Sequence, residues 1–170
     1  MSSKQKINVL YTGGLDSSYT MILLAKYDVE IQPYYLRDNR HSEEKELSSI
    51  RKIIDHITNN ENTRCTILPL ITVSTADIDK DINITDSYNR LKKTTNIGSQ
   101  YDWLARFAKN IEGLCMSLEK SSNSKALTCI TKYGDVKLQR EGIFDYYTID
   151  PDKSSLDLIE VFGRFRFPYE

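Results

Sequence analysis

The segment Thr12-Gly13-Gly14-Leu15-Asp16-Ser17-Ser18 carries most of the chemistry legible in this chain. Two adjacent glycines can take positive φ and turn the backbone sharply, and without Cβ atoms they let an anion approach the main chain closely. The residues that follow suit a helix start, whose first N–H groups have no acceptor inside the helix and point back toward the turn. Thr12, Ser17 and Ser18 add hydroxyl donors, and Asp16 supplies the kind of carboxylate that holds magnesium beside a phosphate. We read the segment, with Tyr11 in front of it and Leu15 within it, as a cradle for the phosphates of a nucleotide. No lysine follows as in a Walker A loop, and the G-x-G-x-x-G spacing of a dinucleotide turn is missing, so this would be a third kind of phosphate loop. The plainer alternative is a tight strand-to-helix connection with Asp16 as helix cap.

Positioning such a loop requires a strand before it and a helix after it. Ile7, Val9 and Leu10 form a short apolar run that suits a buried strand, and Met21, Ile22, Leu24 and Ala25 follow the helical period, with Asp16 or Ser17 as the expected cap. Beyond them strands and helices alternate, the pattern of a parallel sheet with helices on both faces. The second strand is expected over Val29 to Leu36, an amphipathic helix over Glu43 to Thr58, a loop at Asn59 to Asn62 and a third strand over Cys65 to Val73. The polar stretch Asp77 to Thr95 reads as a long loop or substrate lid, since a calcium loop would need a central glycine and a distal glutamate. Trp103, Leu104, Phe107, Ala108, Ile111 and Leu114 recur at helical spacing, giving a core helix over Tyr101 to Leu118. Ala126 to Thr131 is expected as a fourth parallel strand. From about residue 132 the pattern loosens: Lys132 to Asp135 reads as a turn, Ile143 to Ile149 as a short aromatic strand, and Leu156 to Phe162 as a last helix capped by Ser154 or Ser155.

At 170 residues, 39% hydrophobic and 28% charged, the chain is expected to fold as a single α/β domain over 1–170 with a sizeable core. Its formal net charge of -1 provides no general field for duplex nucleic acid or an anionic membrane. No apolar stretch approaches the length of a membrane span and the start is polar, so a cytoplasmic protein is expected. Cys65, Cys115 and Cys129 are too few and too far apart for a disulfide framework or a zinc site, and no zinc is expected.

Residues Thr12 to Ser17 resemble the S-G-G-x-D-S loop of the PP-loop ATP pyrophosphatases, with Thr12 in place of the usual serine. Arg40-His41 followed by Glu46-Leu47, at a longer interval, resembles the Q-R-H-x-x-E-L segment of one branch, the 7-cyano-7-deazaguanine synthases. Ile97-Gly98-Ser99-Gln100 resembles their P-G-R-N segment with three of the four residues replaced, and Phe165-Arg166-Phe167-Pro168 resembles an R-F-P stretch that precedes their zinc-binding cysteines. The four-cysteine cluster has no counterpart here, which leaves two readings: a minimal version of the enzyme or a shortened relative. The resemblance implies an adenine-nucleotide α-hydrolase-like fold, ATP and magnesium as cofactors, and adenylation of a small-molecule carboxylate such as a deazapurine acid with release of pyrophosphate. It places the phosphates at Thr12 to Ser18, magnesium on Asp16, adenine near Leu36 and Arg37, and catalytic roles on Asp16, Ser17, Arg40 and His41, with the acceptor near Gly98. A histidine at position 41 suits acid–base work, though a lone histidine at a helix head is more often a surface or capping residue. A homodimer is implied as well. The alternative is a nucleotide-binding protein or subunit that keeps the pocket without turnover.

Overall fold

The computed structural model describes residues 4–118, 123–140 and 143–168, so the ends of the domain expected over 1–170 lie outside it. The described chain forms two compact units, one of residues up to Asp77 with Cys115–Ser117, the other of Ile78–Leu114 and the residues from Leu118 on.

The first unit is α/β with a parallel sheet. Strand β1 (Lys6–Leu10) leads into helix α1 (Leu15–Leu24), then β2 (Glu30–Arg37), helix α2 (Glu43–Thr58), β3 (Thr66–Ile67) and β4 (Ile71–Ser74). β1 and β2 pair in parallel with Leu10 opposite Tyr34, both β3 and β4 pair in parallel with β2, and on the far side of β1 its Val9 pairs with Cys115 of β5 (Leu114–Cys115). β2 is buried continuously from Ile31 to Leu36, as a central parallel strand covered on both faces must be. Ile7, Val9 and Ile31 of the strands, Met21 and Leu24 of α1 and Leu47 and Ile50 of α2 are all buried and make up the unit's apolar core. α2 starts and ends where its apolar period predicts. The expected third strand is two strands instead, because Leu68 to Leu70 break the ladder; the buried Gln32 side chain bridges that gap by donating to the Pro69 carbonyl at 2.8 Å.

The second unit contains α3 (Ile82–Thr95), α4 (Gln100–Ala108), α5 (Lys125–Tyr133), the antiparallel pair β6 (Val136–Gln139) and β7 (Tyr146–Ile149), α6 (Leu156–Phe162) and β8 (Phe165–Arg166). Helix α3 packs on α4, α5 and α6, and Tyr101 meets Phe162 with ring centroids 5.2 Å apart. Three expectations are corrected here. Asp77 to Thr95 is no loop or lid: Asp81 caps α3 by accepting from the N–H groups of Asn83 and Ile84, and Ile84, Tyr88 and Leu91 supply a buried face at helical spacing. The helix expected over Tyr101 to Leu118 ends at Ala108, after which Gly113 at φ 61 turns the chain into β5. Ala126 to Thr131 is helical, since Ser124 accepts from the Leu127 N–H and Ala126, Cys129 and Ile130 fall on one buried face. The stretch from 132 onward carries β6, β7 and α6. No described helix is long and apolar enough to cross a membrane.

Candidate functional site

The glycine turn lies at the carboxyl end of β1. Tyr11 is fully buried and its N–H donates to the Tyr34 carbonyl at 2.8 Å, which keeps the strand extended to the last residue before the turn. Gly13 then takes φ 72, a left-handed conformation, and Gly14 returns to φ -77 as the residue that opens α1. Gly13 has a second reason to lack a side chain: a Cβ there would stand 3.0 Å from Ile50 Cγ1 and 3.1 Å from the Glu46 carbonyl, so α2 presses directly on the turn. A Cβ on Gly14 would have only Thr12 Oγ1, at 3.6 Å, near it. The space in front of Gly14 is open.

The helix starts at Leu15, so Asp16 and Ser17 belong to its first turn and neither is the cap. Ser17, buried, braces the turn instead. Its hydroxyl donates to the Gly14 carbonyl at 3.2 Å, accepts from the Thr12 N–H at 3.3 Å and pairs with Thr12 Oγ1 at 3.2 Å. Ser18 Oγ lies 3.4 Å from the Tyr11 hydroxyl, whose pKa burial pushes up. The N–H groups of Leu15, Asp16 and Ser17 have no acceptor among the described residues, and the Asp16 carboxylate and Leu15 side chain are exposed beside them. These donors, the open face of Gly14 and a positive helix end form a surface suited to an anion.

Parallel pairing brings the carboxyl end of β2 alongside. Leu36 is buried in the strand, while Arg37 is exposed and its Nε donates to Glu43 Oε1 at 2.6 Å. Glu43 is a nearly buried carboxylate that also accepts the Asn39 N–H at 3.1 Å, and Asn39, at φ 61, reverses the chain between them. Arg40 donates to Asp38 at 2.7 Å and lies 3.8 Å from Glu46 Oε1. Glu46 takes in addition the Ser42 hydroxyl at 2.6 Å and the Tyr35 hydroxyl at 2.8 Å. Burial and this carboxylate hold the Tyr35 hydroxyl firmly protonated. His41 is exposed and makes no hydrogen bond or ion pair among the described residues. Glu46 therefore joins the two motifs: its carbonyl backs Gly13 and its carboxylate ties Tyr35, Ser42 and Arg40.

Gly98 belongs to the second unit, where it precedes α4, accepts the Tyr101 N–H and is covered by the Gln100 side chain.

Sequence reasoning placed Tyr35 beside the adenine by resemblance but did not foresee its hydroxyl donating to Glu46, and it missed Glu43 and, above all, Ser117. The chain runs from β1 outward through β2 to β3 and β4, whereas β5 lies on the opposite side of β1. The carboxyl ends of β1 and β5 thus form a topological switch point, the position at which open parallel sheets hold ligands. Ser117 follows β5 there, and its hydroxyl pairs with that of buried Thr20 on α1 at 2.8 Å. The signal that could have found it is the apolar Leu114-Cys115-Met116 directly after Gly113.

Among the described residues no group of three or more His, Cys, Asp or Glu is placed to hold a metal ion. Magnesium carried on phosphates needs only one or two protein carboxylates, and exposed Asp16 beside the free N–H groups fits that role. The chain matches no protein-family model and no curated protein.

Proposed function

We propose that the first unit binds magnesium ATP at the Gly13-Gly14 turn and that the chain is a PP-loop pyrophosphatase-like protein, adenylating a carboxylate such as a deazapurine acid, with the adenine-nucleotide α-hydrolase version of its α/β fold. One observation carries the reading. A left-handed glycine ends a parallel strand and the next glycine opens a helix whose first three N–H groups lack acceptors among the described residues, with open space before Gly14 and a lone carboxylate next to them.

In this reading the N–H groups of Leu15, Asp16 and Ser17 hold the departing pyrophosphate, and their fixed orientation stabilises its growing charge without reorganisation. Ser17 shapes the turn through Thr12 and Gly14. Asp16 would hold magnesium, which when bound neutralises phosphate charge. Leu36 and Arg37 line the adenine side, and Arg40 and His41 face the α-phosphate and the acceptor. No covalent protein nucleophile is required. A second reading, nucleotide binding without turnover, is favoured by Ser99 at the position of the family's arginine and by the engagement of Arg37 and Arg40 with Glu43 and Asp38.

The test is release of pyrophosphate from magnesium ATP by the purified chain, with and without 7-carboxy-7-deazaguanine and ammonium, alongside ATP binding by calorimetry. Acid-dependent pyrophosphate release is the expected outcome, and Asp16→Ala should lose magnesium-dependent ATP binding with unchanged melting temperature. Binding without any release selects the second reading, and no binding by the folded protein overturns both.

A further inference from the structure

Helix α3 packs on α4, α5 and α6 through Ile84, Ser87, Tyr88 and Leu91, which leaves one stripe of it to solvent. On that stripe Asp86, Asn89, Arg90, Lys92, Lys93 and Asn96 line an open depression of about 650 Å³. Together they span about 15 Å of helix. Small-molecule sites are concave and mostly apolar, with a few polar groups placed among the rest. This one is open and every described lining residue is polar, so it suits a stretch of polymer. Charge gives the polymer its sign. Arg90, Lys92, Lys93 and Lys132 of α5 stand against Asp86 and Asp157, four cations to two carboxylates. Arg90 is held in a fixed orientation: Nε and Nη2 donate to Asp157, the shortest at 2.7 Å, and Nη2 also donates to Ser87 Oγ at 3.1 Å, which leaves Nη1 without a partner among the described residues. Lys132 donates to the Thr94 carbonyl at 3.3 Å and so answers the negative end of α3. Lys92 and Lys93 are not needed for that task. Lys92 Nζ lies 5.6 Å from the centroid of the Tyr88 ring, Lys93 is exposed, and neither has a carboxylate partner among the described residues.

We infer that this stripe binds single-stranded nucleic acid, with phosphates on Lys92, Lys93 and Arg90 Nη1 and bases beside Asn89 and Asn96. An amide offers both a donor and an acceptor and so meets the edge of an unpaired base, which a plain polyanion does not carry. A duplex fits poorly. With three helices packed on it α3 cannot enter a major groove, and a net charge of -1 supplies no wider field for a long rod of phosphates. Binding through so few phosphates is weak and sensitive to salt. It requires neither ATP nor magnesium, and the stripe belongs to the second unit whereas the Gly13-Gly14 turn belongs to the first.

The experiment is fluorescence anisotropy of a fluorescein-labelled oligouridylate of about 15 nucleotides titrated with the full chain, without nucleotide or magnesium, across about 25 to 200 mM salt. A dissociation constant of about 10–100 µM is expected at the lowest salt, with log affinity falling against log salt at a slope of about -2, three contacts at about -0.7 each. Lys92→Gln with Lys93→Gln should weaken binding roughly tenfold and flatten the slope to about -0.7, and Lys93→Gln alone serves should the double variant fail to fold. Asn89→Ala should weaken binding about threefold and leave the slope unchanged, since a neutral contact releases no counterion. Lys26→Gln with Lys52→Gln, an equal change of charge on the first unit, should leave binding as it is. No binding at the lowest salt overturns the inference. So does a control pair that weakens binding as much as the α3 pair. Displacement of the strand by an oligoglutamate of equal charge at equal concentration overturns it too, and assigns the stripe to an acidic protein segment.

Discussion

Gly13 and Gly14 are adjacent, yet the structure gives them different duties. Gly13 is needed by the fold, because its φ of 72 and the approach of Ile50 and Glu46 both forbid a side chain. Gly13→Ala should therefore destabilise the protein by about 1–3 kcal/mol, the combined scale of a left-handed alanine and local overpacking. Gly14 sits at φ -77 and ψ 172, which alanine adopts freely, and a methyl group there enters open space. Gly14→Ala should leave urea unfolding within about 0.5 kcal/mol of wild type while weakening ATP binding by roughly tenfold or more, because in the proposed site the methyl would take the place of a phosphate oxygen. If Gly14→Ala binds ATP as tightly as the wild type, the turn is only a connection between strand and helix. The residue types of this turn were legible in the sequence, since a left-handed turn such as that at Gly13 favours glycine and a helix start leaves donors free. The brace formed by Ser17 was not: a hydroxyl that caps and a hydroxyl that reaches back to Thr12 have the same sequence signature.

Helices α3 and α6 show what fixes an element when its apolar pattern is thin. Asp81 caps α3 and also receives Lys109 Nζ at 2.7 Å, and these contacts hold its carboxyl below the ordinary value. Asp157 on α6 is held down in the same direction, chiefly by its hydrogen bonds from Arg90 of α3, the shortest at 2.7 Å. For both groups the folded pKa lies below that of the unfolded chain, near 4 for aspartate. Their stabilisation is complete above that pH and is lost as pH falls through the folded values. Helix content in a urea titration should accordingly hold its midpoint down to about pH 4 and lose it below. The double variant Asp81→Ala, Asp157→Asn should flatten that acid limb, and an unaltered limb would refute the assignment. Asp81 looked like a loop residue because its surroundings are polar, whereas in the structure it caps α3; Asp157 already lay within an expected helix. α2 and α6 were legible because buried positions recur at the helical period, and α5 was missed because Thr128, Cys129, Ile130 and Thr131 read locally as strand formers. β5 has only two residues, too few for any alternation to appear.

The first unit is assembled from two separated pieces of chain. Val9 gains Cys115 as its partner only after the chain has traversed residues 78–114. A fragment of residues 1–77 therefore presents β1 as an unpaired apolar edge, an invitation to pair with another molecule. We expect such a fragment to elute as aggregates in size-exclusion chromatography. A soluble, monomeric 1–77 fragment with native-like circular dichroism would show that β5 is dispensable to the sheet. An α/β architecture with a parallel sheet was legible from the alternation of patterns, because continuous apolar runs between amphipathic helices have few other solutions. The return of the chain to β1 was not, because it is made through long-range pairing that leaves no local trace.

The late arrival of β5 has a consequence for how the protein is made. At ordinary synthesis rates the 37 residues 78–114 take about 2–8 s to add, far longer than collapse of the preceding strands and helices. For those seconds on the ribosome the nascent chain carries a collapsed but open sheet whose β1 edge awaits its neighbour. A chaperone that shields a bare strand has those seconds in which to act on the β1 edge.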